Sequence, residues 1–326
     1  MTDLSTRTVV TGDASKRAQR RPVPQSRGAA VRQRRENIAA YTFLIPWLVG
    51  FFGLTVGPML YTLYLSFTNY NLFSAPTWTG LDNYIRLFTN DPSFIQSAKI
   101  TLFYVLVGTP LKLAVALGAA MLLNYRDTAA TFFRSAFYVP SLIGASVSVA
   151  IVWRAMFVTD GPVDSALSFF GINLGGWVGN VDLVVPMMIL LAVWGFGGTM
   201  IIFLAGLKNI PGELYEAADV DGAGPLRKFR NITLPMLSPV IFFNLLLETI
   251  GAFQVFGSAY IISAGTGGPA GMTNFYTLYL YKRAFTDTQM GYASAMAWVL
   301  LIVVAIVAVF IFRSSQSWVH YAGDEK

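Results

Sequence analysis

The sequence predicts an all-α integral membrane protein with six transmembrane helices and a cytoplasmic helical loop between the fourth and fifth. Three observations carry that prediction. Of the 326 residues, 55% are hydrophobic and only 12% charged, and mean hydropathy is +0.55, more apolar surface than one soluble core can hide. Six apolar runs reach the length of roughly 20 residues that a helix needs to cross the hydrocarbon core. Lys and Arg are also dense in alternate loops, as the positive-inside rule requires.

The first stretch, 1–37, reads as a basic cytoplasmic tail. Arg7, Lys16, Arg17, Arg20, Arg21, Arg27, Arg32, Arg34 and Arg35 supply much of the net charge of +6. A basic run directly before an apolar segment is topogenic, whereas nucleic-acid binding would want readout elements beside it, so no nucleic acid is expected. Tail and first segment are too long for a cleaved signal peptide, and the segment suits an uncleaved anchor.

A membrane domain over 38–313 follows, with spans at 38–67, 97–123, 132–157, 183–207, 237–262 and 292–312. Pro46 and Pro58 predict a kink in the first, which membranes tolerate when neighbouring groups satisfy the freed carbonyls. With the N-terminus inside, the inner loops carry Arg126 and Arg134, then Lys208, Arg227, Lys228 and Arg230, then Arg313. Asp160, Asp164 and Asp182 stand outside without a Lys or Arg, while Arg86, Lys282 and Arg283 run against the rule. Six spans return the tail 314–326 to the cytoplasm. The outer segment 72–96 mixes Trp78, Tyr84, Phe88 and Phe94 with Asn and Asp and reads as a partly folded interfacial loop. Gly265 to Gly271, GTGGPAG, reads as a turn-rich, outward-facing exit from span five, with glycines spaced unlike a phosphate loop.

The most informative stretch is 208–235, KNIPGELYEAADVDGAGPLRKFRNITLP. Local rules predict two short helices. Pro211 and Gly212 open the first, Asp221 and Gly222 end it, Pro225 starts the second and Pro235 closes it. Ala217, Ala218, Gly222 and Ala223 would let a partner's backbone approach closely, and Glu216 and Asp221 add polar contacts.

The order of residues here resembles the coupling loop of binding-protein-dependent ABC importers, whose permeases share E-A-A, three residues, G, nine residues and I-x-L-P. Glu216, Ala217, Ala218, Gly222, Ile232, Leu234 and Pro235 match every position. Asp221 and Ala223 match the D-G-A form usual in sugar permeases, as do Leu204 to Leu207 before it. Further stretches are similar to the carbohydrate branch that handles sugars and glycerol phosphates: Gly80, Leu81, Asn83 and Tyr84 with Phe94 and Thr101; Trp153, Phe157 and Gly161; and Gln254, Phe256 and Tyr260 with Gly267, Gly268 and Pro269. The resemblance implies that the loop docks into a separate ATPase dimer and that ATP and Mg are bound there. It also implies a second homologous permease, an extracytoplasmic sugar-binding protein, and residence in the bacterial inner or cytoplasmic membrane with both termini cytoplasmic. No G-x-x-x-x-G-K-[ST] occurs, so the motor is expected on another polypeptide.

Polar groups inside a span are costly unless they face a partner or a wet path. Asn244 and Glu248 stand four apart on one helix face, with Thr249 and Gln254 to one side. Sugars are held by hydrogen bonds and aromatic faces, so Trp194, Asn244, Glu248, Thr249, Phe253 and Gln254 are the expected substrate-pathway residues. The resemblance implies the same middle part of span five. Lys112 is expected to pair with an acid such as Glu248, and Arg154 to snorkel to the outer interface. Aromatic residues near span ends read as interfacial belts.

Two other classes compete. An ion-coupled secondary transporter would use Glu248 and Lys112 as its engine but usually carries more spans or an internal repeat. An intramembrane enzyme needs a nucleophile and base or metal ligands at the midplane; with no Cys and a lone His320 near the C-terminus, no catalytic, metal or cofactor site is expected on this chain.

Overall fold

The computed structural model of the chain describes residues 27–124, 128–143 and 147–320. The basic residues from Arg7 to Arg21, Arg126 and the last six residues lie outside that description. The chain forms two compact units, 1–59 and 60–326.

In the first unit, α1 (Arg27–Gly50) passes through Pro46 and leads into a π-helical turn, Phe51–Val56, and the start of α2 (Gly57–Ser66), whose residues from Leu60 on belong to the second. The turn is a response to Pro58, which has no N–H to donate and whose ring would collide with the carbonyl four residues back. Widening the preceding turn removes that conflict, with the Gly57 N–H reaching back to Phe52 O. The expected kink is thus a π turn within one span, Ala40–Ser66, whose most apolar window has no buried residue.

After α2 the second unit forms a hairpin of two-residue strands, β1 (Thr68–Asn69) with β2 (Thr77–Trp78), paired Thr68 to Trp78. It continues with the short amphipathic α3 (Asp82–Thr89), so the segment read as partly folded is indeed folded. Asp91 caps the long α4 (Pro92–Leu122), accepting the Phe94 N–H at 3.0 Å with Pro92 in the first turn. Next come α5 (Thr128–Ile143), α6 (Val147–Phe157) and α7 (Pro162–Phe169). Span four is divided into α8 (Val184–Trp194) and α9 (Gly197–Lys208), bent by 46° at Gly195 and Phe196. The loop holds α10 (Gly212–Val220) and α11 (Pro225–Lys228); α12 (Leu234–Phe253) and α13 (Gly257–Ile262) make span five, α14 (Tyr276–Tyr281) follows, and α15 (Met290–Trp318) is span six. Among the described residues, four helices are long and apolar enough to cross a membrane, or six when each bent pair counts as one span.

Packing centres on α4. Leu113, Ala116 and Ala120 of α4 meet Met200, Phe203, Leu204 and Leu207 of α9 and Leu237 of α12 in one buried cluster. A second cluster joins Ile100 and Tyr104 of α4 to α8, α13 and α14. Small residues bring backbones close: a Cβ on Gly197 would lie 2.0 Å from Phe137 O of α5, and one on Gly206 would lie 2.8 Å from Leu237 Cδ2. This is how membrane helices associate when lipid offers no hydrophobic drive between them.

Candidate functional site

The loop between spans four and five folds as two helices. Pro211 and Asp221 cap α10, Gly222 adopts φ +70°, and the Ala223 N–H closes on Ala218 O at 2.8 Å. That is a left-handed helix end, where only a residue without Cβ sits unstrained. Pro225 occupies the first turn of α11 as expected. Pro235, expected to close the second helix, does not. A π turn over Phe229–Thr233 sets the Leu234 N–H on Phe229 O, and the helix runs on into α12, so that Pro225–Ile262 is continuous enough to count as one span. A proline in the first turn of a helix needs no donor, and the widened turn before it absorbs its ring. The second helix of the loop, α11, is therefore a stiff extension of span five.

Its exposed side carries Val220, 90% exposed, and Leu226, 78% exposed, with Glu216 and Gly222 open beside them. No atom lies within 4 Å of a Cβ placed on Gly222. Its inner side is anchored. Tyr215 Oη and Thr233 Oγ1 are 2.9 Å apart, Tyr215 and Ile232 pack on the α4–α9–α12 cluster, and the Lys228 ammonium pairs with Asp219 across the turn. Glu216, Ala217, Ala218, Asp221, Gly222 and Ala223 are thus displayed on a lever fixed to spans four and five.

Inside the membrane domain, three spans meet at a polar cluster. Lys112 Nζ of α4 lies 2.8 Å from Glu248 Oε2 of α12, and Thr199 of α9 donates to Glu248 Oε1 at 2.6 Å. The pairing of Lys112 with Glu248 is the one expected; Thr199 was missed, because a hydroxyl beside two glycines carries no sequence signal of its own. The six pathway candidates separate. Glu248 is half-buried, Trp194 is 37% exposed with its ring 5.8 Å from that of Trp153 and tilted 45° to it, and Gln254 is exposed. Asn244, Thr249 and Phe253 are buried, Asn244 spending its amide on Val240 O at 2.9 Å and Phe253 lining an apolar cavity of about 270 Å³.

The helix breaks have a shared level. Gly206 faces Leu237 and Val240 while Thr199 faces Glu248, so α9 and α12 run antiparallel. Counting at about 1.5 Å per residue, the break at Gly195 lies about 6 Å and that at Gln254 about 9 Å from the ion pair, on the same side. Non-helical backbone at membrane depth is tolerated only inside protein or beside water.

Farther along, Asp91 accepts hydrogen bonds from Tyr279 Oη and Tyr292 Oη, each at 2.5 Å, and faces Arg283 at 3.4 Å. Burial opposes its ionisation, but the bonds from Tyr279, Tyr292 and the Phe94 N–H, with the Arg283 charge, outweigh it and hold the carboxyl below its ordinary 3.8. This network was also missed, although Arg283 and Arg86 had stood out against the charge rule; Arg86 lies 4.4 Å over the Tyr292 ring. Arg154, expected to snorkel toward the outer interface, donates to Ile261 O at 3.3 Å near the end of α13.

Comparison with known proteins gives concordant findings. The profile described as binding-protein-dependent transport system inner membrane component matches residues 81–320. A probable ABC transporter permease protein, YesP of Bacillus subtilis (strain 168), is 50% identical over 294 residues, 90% of this chain and 95% of that one. The arabinooligosaccharides transport system permease protein AraP of the same organism is 34% identical over 87% of this chain and 90% of its own. Among solved structures, a bacterial alginate ABC transporter in complex with an alginate pentasaccharide-bound periplasmic protein matches with a TM-score of 0.74 at 22% identity, covering 87% of this chain and 96% of that chain.

Proposed function

Because this chain belongs to the family of binding-protein-dependent transport system inner membrane components, we propose that it is the permease subunit of an ATP-driven sugar importer. It forms half of the translocation pathway, pairs with a homologous second permease, and receives sugar from an extracytoplasmic binding protein. The ATPase dimer, with its ATP and Mg, docks on the loop 208–235, and both termini are cytoplasmic. The observation that carries the reading is the lever: a motif-bearing, exposed α10 held by the Lys228–Asp219 pair and the Tyr215–Thr233 contact against α11 and the π turn, which run on into span five. Closure of the ATPase dimer pushes on Glu216 and its neighbours, and the Tyr215–Thr233 contact and shared core pass that movement to α9 and α12. Support for sugar as cargo comes from the saccharides named for the relatives and from the exposed Trp194 and Gln254 at the two helix breaks, where an aromatic face and an amide suit a hydroxylated ring. Discontinuous spans meeting within the bilayer are also where other transporters hold substrate. The membrane domain is 38–313, flanked by tails 1–37 and 314–326.

The test is affinity capture from native membrane in mild detergent, with and without Gly222→Val. Space is open at Gly222 but its φ of +70° is not open to Val, so the chain should fold while the docking turn distorts, at a local cost of about 1–2 kcal/mol. Recovery of an ATPase with the native chain and its loss, with uptake, in the variant is expected; exchanging Glu216 for a bulky residue should likewise abolish uptake. Solute transport by the chain alone in liposomes would instead establish the ion-coupled alternative.

A further inference from the structure

Four aromatic rings near the break in span five make a continuous series that the pathway residues do not include. Phe285 and Tyr281 have centroids 5.0 Å apart, Tyr281 and Phe256 5.1 Å, Tyr281 and Tyr260 5.7 Å, and Phe256 and Tyr260 5.6 Å. They sit on two stretches of chain. Phe256 belongs to the break itself and Tyr260 to α13; Tyr281 ends α14, and Phe285 lies on the π turn Lys282–Thr286. Thr277 Oγ1 donates to Val255 O, which sets the first turn of α14 beside the break. Tyr281 is then one turn farther along and Phe285 one turn beyond that, so the series climbs away from Gln254.

The rings are fixed and partly uncovered. A Cβ on Gly265 would come within 3.1 Å of Tyr260 Cε2, so the glycine backbone closely approaches that ring. Lys282 Nζ, between Tyr281 and the rest of the π turn, donates to Thr266 O at 2.9 Å and ties that turn to the glycine loop. Phe285 is 60% and Tyr260 36% exposed. Among the described residues, the hydroxyls of Tyr260 and Tyr281 make no hydrogen bond. Phe and Tyr rings whose faces are held in place and whose hydroxyls are free suit a ligand with an apolar face and a polar rim. A sugar ring has that form: C–H bonds on its face and hydroxyls around its edge.

We propose that Phe256, Tyr260, Tyr281 and Phe285 form a stacking track for successive rings of an oligosaccharide, leading to the break in span five. The inference rests on the sugar-importer reading and deepens it by naming cargo of several rings. A monosaccharide fills one place on such a series; each further ring gains another platform.

The experiment uses the importer purified with its partner subunits and binding protein, reconstituted in proteoliposomes. It is offered a ladder of arabinose oligomers from one sugar ring upward, the saccharide class named for a relative, and uptake is read at each length by mass spectrometry. Phe285→Ala and Tyr281→Ala should raise KM for fragments of several rings about twofold to tenfold, the loss of one aromatic contact, while the one-ring sugar and kcat stay as in the native importer. Phe285→Leu, which keeps bulk without an aromatic face, should follow Phe285→Ala, and Tyr281→Phe, which keeps the face and loses only the hydroxyl, should lose less than Tyr281→Ala. Phe310→Ala, removing a ring 71% exposed on α15 and outside the series, should change nothing. An equal effect at all lengths, no effect, or the same pattern from Phe310→Ala would overturn the track and make the rings an ordinary lipid-facing belt. A native importer that moves no saccharide would overturn the sugar reading itself, and the track with it.

Discussion

Replacing Glu248 by Ala removes the shared acceptor of the polar cluster inside the membrane domain. Lys112 and Glu248 side chains are 19% and 23% exposed, so the ammonium left behind is largely cut off from water. Breaking a fully buried pair costs about 3–5 kcal/mol, and with a fifth of each side chain accessible the low end, about 3 kcal/mol, applies. Thr199, 6% exposed, loses its acceptor as well, for about 1 kcal/mol more. Lys112→Met should cost a similar amount by stranding the carboxylate, whereas Lys112→Met with Glu248→Leu should return to within about 1 kcal/mol of the native chain. Unfolding in mixed micelles of rising SDS fraction, followed by the fluorescence of the seven Trp residues, measures all three variants in one double-mutant cycle. Single variants that each lose under about 1 kcal/mol, or a double variant as unstable as the singles added together, would refute the reasoning.

Tyr215→Phe removes only the hydroxyl that meets Thr233; stability should fall by about 1 kcal/mol, and sugar moved per ATP hydrolysed should fall in reconstituted importer while ATPase binding in the capture assay is kept. Gly197→Ala puts a methyl 2.0 Å from Phe137 O, an overpacking that backbone cannot absorb, so a loss at the upper end of about 1–3 kcal/mol should appear as a lower thermal midpoint of the detergent-solubilised chain. The Asp91 carboxyl titrates below its ordinary 3.8 in the folded chain, so its contribution is full above that value and is lost as pH falls through the lower folded value; thermal midpoints measured down an acid series should lose this acid limb in Asp91→Asn.

Much of the site was legible before any coordinates. The E-A-A to I-x-L-P spacing located the helical loop because its turns need Pro, Gly and small residues at set places, and such constraints are local. Pro211, Gly222 and Pro225 each act within one turn of chain, and each stands where local rules put it. Pro235 failed as a stop because the rule for proline in a helix interior gives way when a π turn precedes it, an adjustment with no marker in FRNIT. For Lys112 the sequence offered Glu248 only as a candidate acid, since an intramembrane charge needs some partner, and the contact between them is a fact of the tertiary structure.

Sequence by itself determined the solvent, the span count available to the chain and the helical loop between spans four and five, since hydropathy, turn chemistry and charge act through composition and short spacings. Tertiary structure decided which faces of those helices meet. It turned Asn244, Thr249 and Phe253 into the packing and left Trp194 and Gln254 open. It brought Thr199 to Glu248 across 49 residues and Tyr292 to Asp91 across 201. In a span that is apolar on every side, no periodicity distinguishes the face toward lipid from the face toward protein, and only the close approach of Gly197 to α5 and of Gly206 to α12 settles the rotation of the helix about its axis.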